Sequence, residues 1–258
     1  MGKIIAVANQ KGGVGKTTSA VNIAAGLGKM KKKTLLIDID PQGNASSGLG
    51  VNKKQITKSS YDILIGEDKA QDVIQKTEFD KLDVIPANMD LAGAEIEMVD
   101  LPDRINILKK AVVSIKEEYD YIIIDCPPSL GLVTLNALTA CDTVLIPIQC
   151  EYYALEGLSQ LMATVRQVKR KYNPSLDIEG VLLTMFDGRL NLTMQVVAEV
   201  KKFFPNKVYK TVIPRNVRLS EAPSFGQPVI YYDRSSKGTQ AYLDLCKEMI
   251  KKNKKFAN

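Results

Sequence analysis

Residues 8–26 read ANQKGGVGKTTSAVNIAAG, and the fold hangs on that stretch. An apolar run at residues 4–8 leads into glycines at 12, 13 and 15, then Lys16, Thr17 and Thr18, then a helix-like segment. Glycines so placed let the backbone wrap an anion, with successive N–H groups aimed inward at the start of a helix. Such a loop cradles phosphate, so Gly12, Gly13, Val14, Gly15, Lys16, Thr17 and Thr18 are its candidate nucleotide-binding residues. Lys16 brings a point charge to the β- and γ-phosphates, and Thr17 offers a hydroxyl to Mg2+. The usual spelling, G-x-x-x-x-G-K-[ST], requires glycine at position 10. Gln10 stands there instead, followed by a second lysine, Lys11.

Working outward, short Val/Ile-rich runs alternate with longer helical patterns. The strand candidates are residues 4–8, 34–39, 82–85, 121–124, 143–148, 180–185 and 208–213, apolar on both faces as buried parallel strands are. Helices are expected at 16–30, 104–118, 132–140, 155–172, 192–204 and 238–252. In the first, Val21, Ala24, Ala25 and Gly28 recur at i, i+3, i+4 and i+7, a small-residue face suited to close packing on a sheet. The alternation predicts an α/β fold. It is read as one doubly wound domain over residues 1–258, a mostly parallel twisted sheet with helices on both faces and ligands at the strands' carboxyl ends. The basic residues 251–258 read as a frayed tail.

A phosphate loop needs acids near the metal and the attacking water. The run at 121–124 ends in Asp125, which reads as a Walker B strand holding Mg2+, and Cys126-Pro-Pro-Ser129 then turns the chain away. In LLIDIDPQGN (residues 35–44), Asp38 and Asp40 stand two apart and share a strand face. Capping or turn formation is an alternative role for these acids, for Asp38 above all. No N-K-x-D guanine box is present, because residues 206–209 read NKVY; ATP is favoured over GTP.

Composition sets the limits. The 258-residue chain is 45% hydrophobic and 25% charged, with no apolar run long enough for a membrane span and no signal peptide. It has four scattered cysteines and no histidine, so reduced thiols in a cytoplasmic protein are expected and imidazole is unavailable as a base. The net charge of +6 suits an anionic partner without deciding between nucleic acid, membrane and simple lysine richness.

Four segments taken together, KGGVGKTT, DIDPQGNASSGLG, YIIIDCPPSLG and IPRNVRLSEAPSFGQPVIYYDRSSKG, resemble the ParA-type partition ATPases of the deviant Walker A group. The likeness runs from Lys3 to about Ile250, and is nearest to the short chromosomal kind without an added helix-turn-helix domain. It implies an ATP- and Mg2+-dependent homodimer that binds DNA without sequence preference on the nucleoid. A centromere-binding ParB-type partner would stimulate its hydrolysis. By the same resemblance Lys11 reaches the phosphates of the other subunit, as an arginine finger does, and joins Lys16 and Asp40 as a catalytic residue. Asp40 orders the attacking water and, with Thr17 and Asp125, belongs to the magnesium site. The adenine lies against the loops near Met185 and Pro214, with Asn216 a base contact, while Arg189 and Arg218 touch the DNA backbone.

Two other readings compete. A membrane-associated positioning ATPase of the MinD type needs a C-terminal helix with a clear apolar face, yet after Ile250 only Phe256 and Ala257 are apolar. An iron–sulfur carrier of the nitrogenase type needs paired cysteine ligands, and Cys126 directly after Asp125 does not fit that pattern.

Overall fold

The structure, a computed structural model, describes residues 2–151 and 156–254. Its centre is β5 (Tyr121–Asp125), buried over its whole length. Alternate side chains of a strand point to opposite faces, and here they enter two different cores. Ile122 and Ile124 join one apolar cluster, Tyr121 and Ile123 the other. Strand β1 (Lys3–Val7) divides the same way, with Ile4 and Ala6 on one side and Ile5 and Val7 on the other. Apolar residues at every position of these runs are thus what a sheet covered on both faces requires.

Five further strands complete one sheet: β2 (Thr34–Asp38), β3 (Gln75–Lys76), β4 (Leu82–Ile85), β6 (Thr143–Gln149) and β7 (Asp177–Thr184). The order is β3-β4-β2-β5-β1-β6-β7, parallel throughout except for β3 at one edge. One face carries α1 (Lys16–Lys29) and α12 (Lys237–Lys254). The opposite face carries α3 (Ser60–Leu64), α5 (Leu91–Glu97), α6 (Ile107–Val113), α7 (Leu132–Ala140), α8 (Glu156–Lys171) and α9 (Asn191–Phe203). Short helices α2 (Asn44–Gly48), α4 (Ala70–Val73), α10 (Val217–Glu221) and α11 (Val229–Tyr232) lie in the connections. The expected α/β class, sheet and two-sided helix cover are all present.

Several expectations fail in detail, each for a physical reason. Residues 208–213 do not form a strand; they and Pro214 meet the sheet at isolated bridges, Val208 to Val181 and Pro214 to Phe186, and through the Ile213 N–H, which donates to the Leu183 carbonyl at 2.9 Å. Between them Glu248 of α12 accepts hydrogen bonds from the Lys210 and Thr211 backbone N–H groups, at 2.9 and 3.0 Å, and so pulls the segment off the ladder. The helix expected over 104–118 shrinks to α6, and beyond it the Ser114 hydroxyl donates back to the Ala111 carbonyl. Strand β2 stops at Asp38, so Asp40 occupies a turn rather than the same strand face. Helix α12 runs on to Lys254, with Asn253 buried and its side-chain oxygen accepting from Lys3 Nζ at 2.6 Å. Of the basic segment, residues 251–254 are therefore helical, and 255–258 lie outside the described residues, as does Leu155 of the helix expected over 155–172.

The small face of α1 does what its spacing predicts. Val21, Ala24 and Ala25 are buried against the sheet, and a Cβ at Gly28 would stand 2.1 Å from the Asp80 carbonyl oxygen. Alanine in a helix is favoured over glycine by about 1 kcal/mol, but a backbone clash of this kind costs roughly 1–3 kcal/mol. Gly28→Ala is therefore expected to lower Tm by several degrees in a thermal melt; an unchanged or higher Tm would show that the turn before β4 yields freely.

Candidate functional site

The loop after β1 is held from three directions. Asn9 donates to the Pro147 carbonyl (2.7 Å) and accepts from the Lys11 N–H (3.1 Å), tying the loop's entry to β6. Gly13 and Gly15 adopt left-handed backbone angles, φ 73° and 83°, that a side chain would strain. From β7, Thr184 donates its hydroxyl to the Val14 carbonyl at 2.8 Å in a buried contact. Gly15 caps α1, so Lys16, Thr17 and Thr18 open that helix with their N–H groups free for an anion. Neither Asn9 nor Thr184 was singled out from the sequence, because one polar residue at a strand end carries no pattern.

Lys16 is buried and its ammonium donates to the Lys11 carbonyl at 3.1 Å. Burial pulls its pKa down, opposed by Asp125 and Asp40 nearby. This amine is a desolvated cation aimed across its own loop, poised for a phosphate. Lys11 differs: its side chain is about one-third exposed, and among the described residues its amine pairs with Glu151 at 3.9 Å. A Cβ built on neighbouring Gly12 meets nothing within 4 Å. Gly12 is thus open to solvent, and the extra lysine beside it is partly exposed.

Asp125 closes the site from β5. It is fully buried, and among the described residues neither carboxylate oxygen has a hydrogen-bond partner. Burial, reinforced by the charge of Asp38, pushes it well above the ordinary carboxylate range; the nearby Thr17 hydroxyl eases this without making a well-formed hydrogen bond. Buried orphan oxygens are costly, and a divalent cation is the partner that would satisfy them. Thr17 and Asp125 therefore fit a magnesium ion, whose remaining positions go to water and phosphate oxygens as this ion prefers.

The two neighbouring acids separate. Asp38 accepts from Ser46 N (2.8 Å), Ser46 Oγ (2.7 Å) and Asp40 N (3.1 Å), and burial pushes its pKa up to about 6. It is the turn-former, fastening the start of α2. Asp40 has one oxygen accepting from Gln42 N–H (2.9 Å) and sits at the edge of a cavity of about 340 Å3 shared with Pro128 and Ser129. It is the carboxylate free to meet water.

The remaining candidates scatter around the rim. Met185 has a left-handed φ of 49°, and its neighbour Phe186 bridges Pro214, so these two loops do meet at the carboxyl end of β7. Asn216 spends its side-chain oxygen on the Arg218 N–H (2.9 Å) as the cap of α10. Arg189 is 88% exposed but grips Asp187 with two hydrogen bonds, 2.6 and 2.8 Å. Arg218 pairs with Glu221 (2.7 Å) and Asp233 (3.2 Å). Arg215, exposed and 3.8 Å from Glu151, is a cation the sequence reading passed over. All four cysteines are buried free thiols.

If Thr184 fixes the loop, Thr184→Val keeps the shape and removes the bond. An unsatisfied buried carbonyl costs about 1–3 kcal/mol, so Mg-ATP affinity is expected to drop roughly tenfold by calorimetry; an unchanged affinity would mean that the loop holds itself.

The AAA domain family model matches residues 2–178. The sporulation initiation inhibitor protein Soj of Bacillus subtilis is 62% identical over 96% of this chain and 98% of its own. The chromosome partitioning protein ParA of Myxococcus xanthus is 55% identical, covering 98% of this chain and 89% of its own. More distant is the septum site-determining protein MinD of Pyrococcus horikoshii, solved with Mg-ADP, at 28% identity, TM-score 0.78 and 96% of both chains. Among the described residues no helix is long and apolar enough to cross a membrane. The chain belongs to the ParA/Soj family of chromosome-partitioning ATPases.

Proposed function

We propose that the chain is an ATP-driven dimeric switch for chromosome or plasmid partition, a single cytoplasmic domain that binds DNA non-specifically on the nucleoid. The observation that carries this reading is the division of labour between two lysines in one loop. Lys16 is buried over the site, while Lys11 is partly exposed beside an exposed Gly12. A second, partly exposed cation in the phosphate loop is suited to the nucleotide of a second copy, which makes ATP binding and homodimer formation one event. The loop N–H groups of Gly12 to Thr18 and the Lys16 ammonium hold the β- and γ-phosphates. Thr17 and Asp125, with Asp40 nearby, hold magnesium, which when bound offsets phosphate charge. Asp40 orders the attacking water, and Lys11 stabilises charge developing on the transferred phosphoryl group. Met185, Pro214 and Asn216 surround the adenine; the amide nitrogen of Asn216 remains available, since only its oxygen is used in the cap.

Arg189 and Arg218 supply the DNA surface. Each is already paired with acids, so a single chain offers little net charge to phosphate. Two linked copies raise avidity by making the second contact intramolecular. A centromere-binding ParB-type partner resets the switch by stimulating hydrolysis, and no membrane is involved.

Asp40→Ala is expected to bind Mg-ATP and dimerise while phosphate release slows by about a hundredfold or more, the scale of losing a group that positions water. Parental turnover in that variant would remove Asp40 from the chemistry.

Arg218→Glu is expected to abolish DNA binding in gel shifts and leave ATP-dependent dimerisation, read by light scattering, unchanged. For the parent, shifts on unrelated duplexes should need ATP and should weaken steeply with salt. Equal DNA binding with and without ATP, or by Arg218→Glu, contradicts the switch.

A further inference from the structure

The amino ends of β1, β5, β6 and β7 lie across the sheet from the phosphate loop, and with the last turn of α12 they enclose a cavity of about 730 Å3. The function proposed above makes no use of it. Six lysines and four carboxylates line this cavity. Each carboxylate already holds one lysine. Glu179 holds Lys3 at 2.7 Å and Asp142 holds Lys116 at 2.8 Å; Asp177 holds Lys207 at 2.7 Å and Asp120 holds Lys32 at 3.5 Å. Lys252 and Lys254 of α12 are left over, and among the described residues neither forms an ion pair. The carboxyl end of a helix carries about half a negative charge, so α12 itself offsets only part of this excess. The amines are drawn inward: the Lys116 and Lys3 side chains are only 15% and 23% exposed. Lys252 is half-buried, with its ammonium 5.0 Å over the Tyr209 ring and donating to the Glu179 backbone carbonyl. The Glu179 carboxylate is taken up by Lys3, Thr143 and Tyr209. Burial lowers the Lys252 pKa; Glu179 opposes this, while Lys207 and Lys3 add to it by repulsion. In the same wall the Asn253 side chain is nine-tenths buried, and its oxygen accepts from Lys3. Among the described residues its amide nitrogen has no acceptor, since the nearby Tyr121 hydroxyl makes no well-formed bond to it.

We propose that this basal cavity is a second ligand site, for a small anion of several charges: an oligophosphate chain, free or carried by a nucleoside. Such an anion relieves the repulsion of Lys252 by Lys207 and Lys3. It also gives the surplus amines of Lys252 and Lys254 a counter-ion and the Asn253 amide an acceptor. Lysine binds phosphate as a point charge, and several lysines around one recess favour a chain of phosphates over a single carboxylate. The volume lies within the range of roughly 300–1,000 Å3 typical of small-molecule sites. Duplex DNA has the wrong shape, because its backbone cannot follow mostly covered amines into a recess. The cavity stands at the opposite ends of the strands that carry the catalytic loops, so it does not rest on the partition reading.

The test is calorimetry on the full chain carrying Lys16→Ala, which removes the phosphate-loop ammonium, with inorganic tripolyphosphate as the probe and ADP in a second arm. In that background tripolyphosphate is expected to bind, roughly tenfold or more weakly after Lys207→Gln/Lys252→Gln and about threefold more weakly after Lys254→Gln. Lys54→Gln, which alters an exposed lysine outside the cavity, should leave binding unchanged. Thermal melts check that the double variant is folded; Lys254 is exposed, so its variant keeps the test open if the double variant is not. No binding of tripolyphosphate, binding indifferent to both sets of variants, or equal binding of citrate overturns the proposal. ADP binding that falls with tripolyphosphate binding in the double variant supports a nucleoside-borne chain; ADP binding that does not fall supports a free one. With Lys16 intact and Mg-ATP present, DNA gel shifts of the double variant are expected to match the parent. Loss of those shifts would give the amines to DNA and overturn the site.

Discussion

A carboxylate with no partner, sealed inside a protein, is among the least favourable arrangements a fold can hold. Among the described residues Asp125 is in that condition, at the carboxyl end of the central strand, with Asp38 and Asp40 adding negative charge beside it. The architecture around it follows from that constraint. Strand β5 places it between β2 and β1, so the loops leaving all three strands converge on one point. Lys16 answers part of the charge from α1, and the Thr17 hydroxyl stands ready beside it. The site is in balance only when a cation and an anion arrive together, which is the composition of a metal–nucleotide complex. A switch built on such a site has strong reason to differ between its empty and loaded forms.

Asp38 shows how that difference can be felt elsewhere. Its three hydrogen bonds fasten the turn carrying Asp40 to the first residues of α2. Just past that helix, Gly50 meets Gly226 so closely that a Cβ on Gly226 would stand 2.9 Å from the Gly50 Cα. Gly226 ends the 3-10 turn Ala222–Phe225 that continues α10, the helix of Arg218. One set of contacts therefore runs from the turn that carries Asp40 to the segment that carries Arg218, and glycine at both positions lets the backbones touch.

The charge of the chain is unevenly spread in a way that bears on both ends of this path. Basic side chains near the rim sit with acids already attached, Arg189 on Asp187 and Arg218 on Glu221 and Asp233, whereas among the described residues the carboxylates along α5 form no ion pair. Net charge alone describes neither surface.

Much of this was legible in the sequence. The phosphate loop, the sheet and the roles open to Lys16, Thr17 and Asp125 follow from local pattern, because backbone wrapping, strand burial and helix dipoles depend on neighbouring residues. The strand ends at Asp38 and Asp125 could be read from apolar runs that stop at an acid. What tertiary structure decided involves contacts between distant residues. Glu248 took the N–H groups of residues 210 and 211 and turned an expected strand into a loop; Thr184 pinned Val14 across 170 positions. Asp38 and Asp40, alike in the sequence, parted because Ser46 folded back onto one of them. Around α5, Leu91, Ala94 and Met98 are buried while Met89, Ile96 and Val99, at similar spacing, are exposed, and only packing showed which were left bare. Periodicity reports that a face is apolar; what covers it depends on where the rest of the chain goes.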